Sequence, residues 1–108
     1  MNEDWAKKEP ARADIDALSG PAVIEFGSPW CGHCLAAWSL IATALKHHPA
    51  VRHIKVTDGP GQPLGRSFKV KLWPTLVFLD DGKERERLVR PTNSIAIETA
   101  LAAIDTVR

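Results

Sequence analysis

Two cysteines, Cys31 and Cys34, constrain this chain more than any other feature, because of where they fall. Before them stands a short apolar run, Ala22-Val23-Ile24-Glu25-Phe26, bounded by Ser19-Gly20-Pro21 and Gly27-Ser28-Pro29, which reads as a buried strand. After them, to about His47, the pattern turns helical. Leu35, Trp38, Ile41, Ala42 and Leu45 recur at helical spacings and form the expected apolar face, with Trp38 read as core, and Pro49 closes the helix. The pair therefore sits where a strand ends and a helix begins. Unpaired amides and the dipole at a helix head favour an anion, and a thiolate at Cys31 is such an anion. Two intervening residues set Cys34 one turn inside the helix, within reach of Cys31 and less exposed.

That arrangement implies two-step exchange. Cys31 attacks a disulfide and forms a mixed disulfide, and Cys34 then resolves it; no cofactor is needed. A zinc site is the competing reading, since Cys31, Cys34, His47 and His53 follow the spacing C-x2-C-x12-H-x5-H. Against it, the cysteines follow a buried strand, the segment 36–45 is too apolar for an isolated finger, and most of the chain would be left unexplained. No metal is expected.

The rest of the chain supports an α/β domain. Ala11 to Leu18 reads as a short helix, Val51 to Thr57 as a second strand, Leu64 to Phe68 as a short helix, and Pro74 to Leu79 as a third strand. Asp80-Asp81-Gly82-Lys83 reads as a hairpin turn into a charged edge strand, Glu84 to Val89. Asn93 or Ser94 caps a last helix through Val107, with Ile95, Ile97, Leu101 and Ile104 as its apolar face. The order implies a central mixed sheet flanked by helices on both faces. With 108 residues the expectation is one domain, 1–108, and a monomer. A net charge of +1 supports neither a nucleic-acid partner nor an acidic, polyanion-repelling surface. No apolar run is long enough to span a membrane. No basic stretch followed by an apolar one marks a secretory signal at the N-terminus, so a cytoplasmic location is expected.

The segment from Val23 to Cys34, with its Trp30-Cys31-Gly32-His33-Cys34 core, resembles the active-site segment of thioredoxins and of the catalytic domains of protein disulfide isomerase. Trp73-Pro74-Thr75-Leu76-Val77-Phe78, followed by Asp81-Gly82-Lys83, looks like the family's cis-proline strand and hairpin. The resemblance implies a thioredoxin-like fold, a cis Trp73–Pro74 bond, and a loop facing the cysteines that offers backbone groups to an extended substrate. It implies protein disulfide or dithiol substrates and an upstream reductase or other thiol donor. Glu25 matches the family's buried carboxylate and Lys55 the lysine that approaches it. Burial favours the protonated carboxyl, which implies a proton relay between Glu25 and Cys34. Gly32-His33 matches the isomerases. A histidine beside the thiolate favours the dithiol, so a potential above thioredoxin's, which lies at about −270 mV against about −180 mV for the isomerase, is expected. Ser39 stands where many relatives have a helix-bending proline, so a straighter helix is expected. Arg90 replaces a glycine that borders the substrate groove, and Trp73 replaces a small aliphatic residue and, with Trp30, is expected to form an apolar patch. A redox-sensitive binding module with little turnover is the alternative function.

Overall fold

The computed structural model describes residues 5, 6 and 8–105. Helix α1 (Arg12–Asp16) leads into strand β1 (Pro21–Gly27), followed by α2 (Gly32–Lys46), β2 (Arg52–Thr57), α3 (Pro63–Ser67), β3 (Thr75–Asp80), β4 (Lys83–Val89) and α4 (Ser94–Ile104). Every expected element is present. The extension of the last helix to Val107 falls on a residue outside those described.

The four strands lie in the order β2-β1-β3-β4, with β1 parallel to β2 and antiparallel to β3, and β3 antiparallel to β4. The β3–β4 turn uses Asp81 and Gly82 at φ 51° and 78°, the doubly left-handed geometry that Asp-Gly favours. Central strand β1 is buried on both faces, which explains its near-continuous apolar sequence. Val23 on one face packs with Ala37, Ile41, Ala44 and Leu45 of α2, Leu76 and Phe78 of β3, and Ile97, Leu101 and Ile104 of α4. Ile24 and Phe26 on the other pack with Ile15, Leu64 and Phe68. The helices thus cover both faces. Trp5 bridges to Lys55 beyond the outer side of β2, in parallel.

Two helix faces differ from expectation. In α2 the buried row is Cys34, Ala37, Ile41, Ala42, Ala44 and Leu45, while Leu35 is 64% and Trp38 37% exposed. The helix is apolar nearly all round, so spacing alone fits either row. The sheet and α4 take the row with small residues at 37 and 44, and the bulky Leu35 and Trp38 point outward. In α4, Ile95 is exposed and the stripe begins at Ile97. Helix α2 runs unbroken past Ser39, and α4 starts from Asn93, whose side chain accepts from the Ala96 amide at 2.9 Å. The corrected face predicts that Ile41→Ala costs about 2–5 kcal/mol in chemical denaturation. Leu35→Gln changes stability by no more than about 0.5 kcal/mol; the opposite ranking contradicts this packing.

Candidate active site

Strand β1 ends at Gly27 because the chain must turn there into α2. The turn is closed by the Cys31 amide donating to the Ser28 carbonyl at 3.3 Å, and by the Trp30 amide donating to Ser28 Oγ at 3.3 Å. Cys31 is the N-cap of α2, with extended backbone angles, φ −80° and ψ 120°. Its sulfur accepts the Cys34 amide at 3.2 Å. Sulfur here does the work of the oxygen of an ordinary cap, meeting one of the unpaired amides of the first turn. Both cysteines are reduced; Cys31 is half-buried and Cys34 is 3% exposed.

The two sulfurs are therefore unequal. Burial pushes the Cys34 thiol up to about 12, helped by its hydrogen bond with the Cys31 side chain and by the charges of Cys31 and Glu25, while a backbone hydrogen bond from Ser28 acts the other way. Gly27 makes room for that sulfur: a Cβ there would lie 2.5 Å from Cys34 Sγ. Its place was legible only as a strand breaker, because the close approach depends on the tertiary fold.

The register pairing Phe26 with Thr75 brings the start of β3 to the same end of the sheet. The Trp73–Pro74 peptide is cis. Asp58 ties this loop to the cysteine turn: its amide donates to the Gly27 carbonyl at 2.9 Å and its Oδ2 accepts from Trp73 Nε1 at 2.9 Å. That bond holds Trp73 half-buried, whereas Trp30 is 88% exposed, so the expected two-tryptophan patch reduces to one fully presented ring. Arg90 adopts φ 49°, a left-handed conformation that explains why glycine suits the position. Its amide donates to the Pro74 carbonyl and its Nε to the Trp73 carbonyl, both at 2.9 Å. Exposed His33 and Arg90 line one groove with Ala36, Leu40, Pro91 and Thr92.

Beneath the cysteines Glu25 is 2% exposed and pairs in register with Lys55 on β2. Glu25 Oε1 lies 2.8 Å from Nε2 of the buried His53. Lys55 Nζ stands 4.6 Å from the centroid of the Trp5 ring. His53 was missed as a neighbour of the carboxylate, although it stands two residues before Lys55 and so on the same strand face. Of the histidines of the zinc spacing, His47 is bound to Glu98 and His53 to Glu25, and among the described residues no three or more histidines, cysteines and carboxylates are placed to hold a metal ion.

Two thiols at the head of a helix, across from a cis-proline loop on a mixed sheet, define a thiol–disulfide oxidoreductase domain. The family model described as Thioredoxin matches residues 6–103, and the chain belongs to the thioredoxin family. It is similar to thioredoxin 2 from Pseudomonas aeruginosa PAO1, whose reduced structure superposes with a TM-score of 0.86 at 50% identity, covering 96% of each chain. It is 42% identical over 64 residues to protein disulfide-isomerase A2 of Pongo abelii, which covers 56% of this chain. It is 30% identical over 87 residues to an H-type thioredoxin of Fagopyrum esculentum, which covers 81% of this chain. The matched region spans 12% of the isomerase and 72% of the H-type thioredoxin. The family acts on protein disulfides and is reduced by thiol donors. Among the described residues no helix is long and apolar enough to cross a membrane.

The raised Cys34 thiol sets a sign for alkaline stability. Folded Cys34 keeps its proton up to about 12, whereas an unfolded cysteine loses it near 9.0. Its contribution is present below pH 9.0 and is lost as pH rises towards about 12, because the unfolded state there binds fewer protons. In urea titrations the reduced protein is expected to lose stability over that window more steeply than a reduced Cys34→Ser variant. Equal slopes contradict the assignment.

Proposed function

We propose that this chain exchanges disulfides with protein substrates, Cys31 acting as the attacking thiol and Cys34 as the resolving one. The observation that carries this reading is the inequality of the two sulfurs: one caps the helix at the surface and the other is buried and protonated. Cys31 thiolate attacks a substrate disulfide, forming a Cys31–substrate bond and releasing one substrate thiolate. Cys34 then gives up its proton and attacks Cys31 Sγ. The Cys31–substrate bond breaks, its electron pair leaves on the substrate sulfur, and the Cys31–Cys34 disulfide forms. A thiol donor or reductase restores the dithiol by the reverse chemistry.

Glu25 is the acceptor for the Cys34 proton in this scheme, as its charge acts on that thiol. Lys55, its register partner, supplies the balancing positive charge. Trp30, Trp73, Pro74 and Arg90 border the docked substrate. The Arg90 guanidinium sits on the Trp73 carbonyl, so it stands where an extended segment alongside Pro74 would run. His33 beside the pair favours the dithiol and sets a potential above about −270 mV in a glutathione titration. A cytoplasmic setting suits a lone redox pair that cycles.

The decisive experiment is insulin reduction by dithiothreitol with catalytic amounts of the protein. Acceleration by the wild type, its loss in Cys31→Ser, and a stable mixed disulfide in Cys34→Ser are expected. A wild type that binds insulin without acceleration favours a redox-sensitive binding module, and full activity in Cys31→Ser overturns the assignment of the attacking thiol.

A further inference from the structure

The buried histidine on β2 has no part in the scheme so far, yet it is the side chain bonded to the proton acceptor. His53 and Glu25 lie 2.8 Å apart, with side chains only 3% and 2% exposed. Both side chains are thus shielded from water. We propose that His53 is a positioning residue for proton transfer at Cys34: its imidazole holds the Glu25 carboxyl and shares the proton, so that the acceptor is the Glu25–His53 pair. The inference rests on the reading of Glu25 as the acceptor.

The surroundings favour a pair over a lone carboxylate. A carboxylate buried without a donor protonates and ceases to accept. A hydrogen bond from imidazole keeps it available, and imidazole is the side chain whose own proton is exchangeable near neutral pH. Among the described residues, the charged and titratable groups facing Glu25 are His53 and Lys55 from β2 and Cys34 from the head of α2. From β3 it meets apolar Leu76, and Trp5 covers Lys55. When Cys34 attacks, its S–H bond breaks and the proton passes to the pair, the sulfur electron pair forms the bond to Cys31, and the Cys31–substrate bond breaks with its electron pair leaving on the substrate sulfur. The pair keeps the proton, and the departing thiolate carries the balancing negative charge away. Two groups coupled this closely take up the proton as one unit.

The test isolates the resolving step. A mixed disulfide between Cys31 and a chromogenic thiol is prepared in wild type, His53→Ala, His53→Gln and Glu25→Gln, and release of the thiol is followed from pH 5 to 9. In His53→Ala the acid limb of the profile is expected to move up by about one to two pH units, the weight of a hydrogen bond to a charged group. His53→Gln, which retains a donor, recovers most of that shift. Adding His53→Ala to Glu25→Gln has no further effect. The rate of Cys31 attack stays within about twofold of wild type, a split that a general loss of stability would not give. If Glu25→Gln moves the profile but His53→Ala does not, or if His53→Ala acts equally in the Glu25→Gln background, the role of His53 is overturned while that of Glu25 stands. If Glu25→Gln leaves the profile unchanged, the acceptor reading itself fails. Should His53→Ala not fold, ring 15N shifts of His53 in the intact protein decide. A titration midpoint that moves on oxidation of the cysteines is expected, and one indifferent to redox state overturns the proposal.

Discussion

The hydrogen bond from the Cys34 amide to Cys31 Sγ is the contact on which the site depends. A helix head must find acceptors for its first amides, and oxygen side chains usually supply them. Here the acceptor is the Cys31 sulfur, so the contact that starts α2 also fixes that sulfur at the helix head. Burial one turn later pushes the Cys34 thiol up. Two chemically identical side chains are set in unequal surroundings by three residues of helix geometry and a difference in solvent exposure, the inequality on which the proposed attacking and resolving roles rest.

Everything nearby serves to keep that difference. Gly27 lets the Cys34 sulfur approach β1. Asp58 fastens the cysteine turn to the Trp73 loop, and Arg90, just past β4, fastens the far side of the same loop through the Trp73 and Pro74 carbonyls. The floor is the unusual part. Glu25, His53 and Lys55 are all buried, and burying polar groups costs free energy unless they satisfy one another. Replacing them with apolar residues would be compatible with the packing of α2 against β1. The proton transfer proposed at Cys34 gives these buried polar groups a role that packing alone does not.

Much of the fold and of the cysteine site is legible in the sequence. The apolar Ala22–Phe26 run with one carboxylate in it, the cysteines at the strand–helix junction, and the Asp-Gly hairpin each have a local cause, and each appears where that cause puts it. What was not readable had a tertiary cause. The buried face of α2 was misjudged because Leu35 and Trp38 satisfy helical spacing as well as Ala37 and Ala44 do, and only the proximity of the sheet and α4 chooses the small residues. The tie from Trp73 to Asp58 joins residues far apart in the chain. The position of His53 against Glu25 follows from the parallel register of β1 and β2, which no local pattern announces.

The central claim is that the two thiols differ in reactivity because one caps the helix and the other is buried within its first turn. Alkylation of the reduced protein with limiting iodoacetamide at pH 7, followed by peptide mass spectrometry, measures that difference directly. The account predicts label on Cys31 with Cys34 spared until the protein is unfolded. Equal labelling of the folded protein, or label on Cys34 first, would contradict it.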